Sequence, residues 1–141
     1  MRKSLLIVSA MIEAGAGLAL MCCPSAAVAL LLGAPLDAPA ASALGRLAGA
    51  ALLAIGVACW LGHGEAQSRA ARGLVAAMLF YNVAAVAILA FAGIGWGLRG
   101  VALWPAVVLH AAMAVWCLAC LGSKRPNAGH RETSEMGLDH A

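Results

Sequence analysis

Positions 73–94 read GLVAAMLFYNVAAVAILAFAGI, without one charged residue. The hydrocarbon core of a bilayer is about 30 Å thick and takes about 20 apolar residues as a helix. This stretch has that length. A membrane-spanning strand would instead alternate in polarity over about ten residues, and no such alternation is visible. The segment therefore reads as a helix that crosses a membrane. Three further blocks read the same way, at about 5–22, 41–61 and 100–121. The first contains one charge, Glu13, and the second one, Arg46; the fourth contains none.

The whole composition agrees. Of 141 residues, 64% are hydrophobic and 11% charged, with a mean hydropathy of +0.93. Soluble domains are about 45–50% apolar and about 25% charged. A small domain buries only part of its surface, so water could not tolerate this excess. Disorder is excluded as well, because it needs low hydrophobicity and high charge. Ala, Leu, Val and Gly dominate and only 5% of residues are aromatic. Such small side chains favour closely packed helices. A net charge of +3, with no basic cluster interleaved with aromatics, gives no case for nucleic acid.

The expected fold is all-α: a polytopic transmembrane four-helix bundle over 1–122, followed by a polar, disordered cytoplasmic tail over 123–141. Between the first two spans lies a shorter apolar stretch. Pro24 suits the first turn of a new helix there, and Gly33 suits its end. At 1.5 Å per residue that helix is too short to span, so it reads as an interfacial helix. One long helix kinked near Pro24 is the alternative. Pro105 similarly starts or bends the last span. The opening Met1-Arg2-Lys3 resembles a signal peptide, but Glu13 interrupts the apolar run and three spans follow. A first membrane helix is the better reading.

Orientation follows from where Lys and Arg fall. Arg2, Lys3, Arg69, Arg72, Lys124, Arg125 and Arg131 share one side if all four blocks span; Arg46 and Arg99 lie towards the other. Both termini are thus expected in the cytoplasm. Trp96 and Trp104 fall at one membrane boundary, Trp60 and Trp116 towards the other, as an interfacial belt would require.

Gly45, Gly49 and Gly56 fall on one face of the second span, with Leu52, Cys59 and His63 along the same stripe. Small residues at such spacing let helix backbones approach closely in lipid. Packing within the chain and a homodimer face both fit. Each span also carries one notable polar residue: Glu13, Arg46, Asn82 and His110. A charge at the bilayer centre costs about 2.5–3.5 kcal/mol even on the gentler insertion scales, so such groups face the bundle interior and have partners. Counting along each helix puts Glu13, Asn82 and His110 near the midplane and Arg46 in the outer third. Glu13 is expected to pair with Arg46 or His110, with Asn82 bridging. Tyr81 points about 100° away from Asn82 around its helix. The polar layer is either a structural cluster, or a small cavity or proton relay through Glu13 and His110.

Cys117 and Cys120 end the last span at the depth of Cys59 and His63. A zinc site is conceivable from that set, but thiols filling a core are the simpler reading. No catalytic metal is expected. There is no phosphate-binding loop, metalloprotease helix or nucleophile elbow, and the loops are too short to build an extramembrane active site.

Glu13-Ala-Gly-Ala-Gly-Leu18, Pro24 followed by Leu31-Leu32-Gly33, and Ala43-Leu-Gly-Arg-Leu-Ala-Gly-Ala-Ala-Leu-Leu-Ala-Ile-Gly56 together resemble small bacterial four-helix membrane proteins, the DoxX-like group among them. The resemblance covers Met1 to Leu121 in layout. It implies a four-helix fold in a bacterial plasma (inner) membrane and carries over no catalytic or quinone-binding residue. The expected function is a non-enzymatic accessory or assembly bundle without a cofactor, surrounded by lipid and pairing with a second copy or another membrane protein. The alternative is a small-ligand or proton-coupled transport protein using the Glu13/Asn82/His110 layer.

Overall fold

The computed structural model describes residues 1–122, and every regular element among them is helical. In order they are α1 (Arg2–Cys22), α2 (Pro24–Leu32), α3 (Pro39–Gly62), α4 (Arg69–Ile94) and α5 (Leu103–Gly122). α1, α3, α4 and α5 have 21, 24, 26 and 20 residues and are apolar enough to cross a membrane. At 1.5 Å per residue each reaches the roughly 30 Å of a hydrocarbon core. The tail expected from Ser123 onward lies outside the described residues.

The chain breaks where its residue types require. Cys23, with φ −134°, ends α1, and Pro24 opens α2 as a separate helix. The kinked single helix is thereby excluded. Gly33, at φ 82°, ends α2 in the left-handed conformation that favours glycine, and its N–H donates to the Ala29 carbonyl at 2.8 Å. α4 starts at Arg69, a turn earlier than Gly73, because the Ser68 hydroxyl accepts from the Ala71 N–H at 3.0 Å and caps the helix. α5 starts at Leu103, later than Gly100, because residues 99–102 cross the end of α2. There Ala102 N–H donates to the Leu30 carbonyl at 3.0 Å. A side chain on Gly100 would overlap the backbone of Leu31, so glycine is required at this crossing.

The bundle consists of two tightly packed pairs, α1 with α3 and α4 with α5. Gly17 and Gly49 let the first pair touch backbone to backbone: a Cβ on Gly49 would sit 2.7 Å from the Gly17 carbonyl oxygen. Gly56 lies against Ala10 and Ala14 of α1, and Gly45 against Pro24 and Leu36. The glycine stripe of α3 thus packs within the chain. The two pairs join in one core built by the first half of α1 and α4 and the last half of α3 and α5: Leu5, Leu6, Cys59, Val75, Met113 and Cys117 belong to it. Outside, Phe80, Ile94 and Val101 are 78, 76 and 84% exposed. Apolar surface on this scale, all round a bundle, is what a lipid solvent accommodates and water does not.

Arg2 ties one end together. Its Nη1 donates to the Ala66 carbonyl at 2.9 Å, in the α3–α4 connection, and its Nη2 to the Cys120 carbonyl at 3.2 Å, in the last turn of α5. A cation at a helix C-terminus meets unsatisfied carbonyls and the negative end of the macrodipole.

Candidate functional site

Glu13, Asn82 and His110 all fall in the middle of their helices, at one level of the bundle. Glu13 is 3% exposed and Asn82 1%. Each polar group at this depth must be satisfied by protein, since lipid offers no donor or acceptor.

The pairing differs from the expected one. Glu13 meets neither Arg46 nor His110 through a hydrogen bond; the polar group that interacts with it is the Tyr81 hydroxyl of α4. Tyr81 and Asn82 are neighbours on α4 but about 100° apart around it. Tyr81 consequently turns towards α1 while Asn82 turns towards α5. Arg46 is exposed and lies beyond this layer: its Nη1 donates to the Met21 carbonyl at 3.0 Å. It satisfies one of the orphan carbonyls at the end of α1, in the way Arg2 serves α5. The expected Glu13–Arg46 pair fails because that nearer carbonyl captures the guanidinium.

Asn82 is held from two sides. Its Nδ2 donates to the Met78 carbonyl of its own helix at 2.7 Å, and its Oδ1 faces His110 Nδ1 at 2.8 Å. With the amide nitrogen committed as donor, Oδ1 is the acceptor and His110 Nδ1 carries the proton. In the neutral ring Nε2 is then the free base. The imidazole also packs edge-on against the Tyr81 ring, with centroids 5.6 Å apart and planes at 84°. Glu13, Tyr81, His110 and Asn82 thus form a continuous polar–aromatic cluster contributed by α1, α4 and α5. Only the Glu13–Tyr81 link of this cluster joins α1 to the α4–α5 pair.

α3 borders the cluster with Cys59, which is buried near both Glu13 and Cys117. Cys117 and Cys120 are buried too, while Cys22 and Cys23 are exposed. The His63 Nδ1 is turned to the Trp60 carbonyl of its own helix end. Among the described residues no three or more His, Cys, Asp or Glu side chains come together to hold a metal ion. The set Cys59, His63, Cys117 and Cys120 is therefore not brought together as a zinc site. His130 and His140 lie outside the described residues.

Two residues of the site region have no role in the sequence reading: Tyr81, turned aside from Asn82, and Ser9. Tyr81 is the chain's only tyrosine, and a phenol hydroxyl at midspan demands a partner; that was the available signal. Ser9 lies one turn before Glu13 on the same face. It is 1% exposed, and its hydroxyl has no hydrogen-bond partner.

The fold and this cluster define an all-α membrane protein: four membrane-length helices with a polar layer across their middle. Comparison with protein-family models, curated proteins and solved structures finds no match to this chain.

Proposed function

We propose that the chain is a non-enzymatic accessory or assembly bundle of a bacterial plasma membrane, DoxX-like in layout, with both termini in the cytoplasm. The observation that carries this reading is that the central polar side chains Glu13, Tyr81, Asn82 and His110 engage one another across helices. Glu13 engages Tyr81, and Asn82 engages both Met78 and His110. Groups committed in this way hold helices in register. The orientation rests on seven Lys and Arg on the terminal side against Arg46 and Arg99 on the other. The broad exposed apolar faces of all four long helices suit lipid and a membrane-protein partner or second copy. Purification in a mild detergent, with mass spectrometry of what accompanies the chain, tests the role. A reproducible stoichiometric membrane-protein partner or homo-oligomer supports it; a monomer that carries a bound small molecule refutes it.

A specific observation favours one second reading, a proton-coupled or small-ligand protein. The ring nitrogen Nε2 of His110 is left as a base, and the Ser9 hydroxyl beside Glu13 is unpartnered. On this reading Glu13→Gln and His110→Ala remain folded and lose binding or flux. Unchanged uptake in reconstituted vesicles for both variants eliminates it.

A further inference from the structure

The end of the bundle that carries α2 holds a second polar feature, remote from the central cluster. A cavity of about 330 Å³ opens there, lined by Gly93, Leu98, Arg99, Gly100 and Trp104. Ligand clefts run from about 300 to 1,000 Å³, so this one suits a small head group.

Its wall offers donors. Arg99 is exposed and its guanidinium makes no hydrogen bond or ion pair among the described residues; Asp37, at the same end, is not paired with it. The backbone N–H of Arg99 donates to no backbone carbonyl. The Trp104 ring lies over Gly93, its Cζ2 and Cε2 at 3.3 and 3.8 Å from where a Cβ would stand. The ring thus packs against α4 and closes one side of the cavity. A guanidinium and an amide of Arg99, with no carboxylate in the lining, match an oxyanion, and the planar guanidinium fork matches a phosphate best.

The wall is also fixed. Leu98 N–H donates to the Ala92 carbonyl at 3.1 Å, and Ala102 N–H to the Leu30 carbonyl at 3.0 Å. Gly33, at φ 82°, backs onto Arg99 and Gly100 with no room for a side chain. The loop is thereby seated on the end of α2.

Its level in the fold identifies the source of the phosphate. The cavity lies between the last residues of α4 and the first turn of α5, where two membrane-length helices end. Trp96 and Trp104, 67 and 50% exposed, flank it as interfacial tryptophans do. Phe91 and Ile94 in the last turns of α4 and Val108 in α5 are exposed apolar side chains, a surface for acyl chains. We propose that this cavity binds the phosphodiester head group of an anionic phospholipid, with Arg99 as the charge partner and Trp104 as an aromatic wall. A zwitterionic choline head would bring its own cation beside Arg99 and bind less well.

The test is thermal unfolding of the purified full chain in mild detergent, titrated with phosphatidylglycerol, phosphatidylcholine or soluble glycerol 3-phosphate. Phosphatidylglycerol is expected to raise the midpoint by several degrees beyond phosphatidylcholine. Arg99→Gln, at an exposed and unbonded side chain, should keep the midpoint in detergent alone and lose that excess. Arg69→Gln, an exposed arginine at the opposite end, should keep it. Equal shifts by the two lipids, or an undiminished excess in Arg99→Gln, overturns the site. The same shift from glycerol 3-phosphate overturns the lipid as its source.

Discussion

The Glu13–Tyr81 contact is the polar link between α1 and α4 at midspan, and its worth can be worked from its surroundings. Tyr81→Phe deletes one hydroxyl and leaves the ring against His110, so packing is conserved. Glu13, 3% exposed, then has lost its donor. Hydrogen bonds to charged groups contribute about 1.5–3 kcal/mol in soluble proteins, whereas polar contacts between membrane helices average about 0.6 and reach about 1.7. Near-complete burial places this contact at the upper end of the membrane range, so Tyr81→Phe should cost about 1.5 kcal/mol. Glu13→Ala orphans the Tyr81 hydroxyl and leaves a void, for about 2–3 kcal/mol. Once Glu13 is gone, removing the hydroxyl no longer breaks a bond. The double variant should therefore fall short of the summed losses by about 1.5 kcal/mol. Reversible unfolding in mixed micelles, followed by circular dichroism, measures all four corners of the cycle. Losses that add to within about 0.3 kcal/mol would show that the two side chains do not interact, and the linking role of the cluster would fall.

The remaining predictions concern packing and the unpaired groups. Gly49→Ala should separate α1 from α3 and lower the melting midpoint severely, because its Cβ would stand 2.7 Å from a backbone oxygen. Gly15→Ala, with nothing within 4 Å of its Cβ, should instead stabilise by up to about 1 kcal/mol through helix propensity; a large loss there would refute the placement of α1. Ser9→Ala should be neutral or stabilising, since its hydroxyl has no partner to lose, and a clear loss in the same unfolding assay would mean that the hydroxyl is engaged. Thiol labelling of the folded protein should modify Cys22 and Cys23 rapidly and Cys59, Cys117 and Cys120 slowly, which mass spectrometry of the labelled peptides reads directly.

How far the sequence could be read depended on the kind of question. Helix existence and length were legible because lipid forbids unpaired backbone, leaving apolar runs of this length one regular form. Pro24 and Gly33 marked α2 by fixed φ on one side and a left-handed φ on the other. The start of α5 was not legible: residues 100–102 are held out of the helix by α2, a contact between segments distant in the chain. The depth of Glu13, Asn82 and His110 came from counting at constant rise. Their partners did not, because partnership depends on which helices adjoin and how each is rotated. α1 lies tightly against α3, and α4 against α5; no spacing within a single span encodes that choice. Tyr81, set aside for pointing away from Asn82, faces Glu13 for that very reason. Arg46 lies beside the end of α1, and the carbonyl of Met21 lies closer than any carboxylate.

The clamp made by Arg2 has a bearing on the order of assembly. Its two acceptors, Ala66 and Cys120, are 64 and 118 positions further along the chain. During synthesis the Ala66 carbonyl becomes available first, and the clamp is complete only when the last helix has entered the bilayer. α1 and α3 can already be docked by then through Gly17 and Gly49, so the clamp closes as a late latch on a preassembled pair. A long-range closure of this kind rewards only the chain that has inserted every span on the correct side, because an inverted α5 would place the Cys120 carbonyl across the membrane from Arg2.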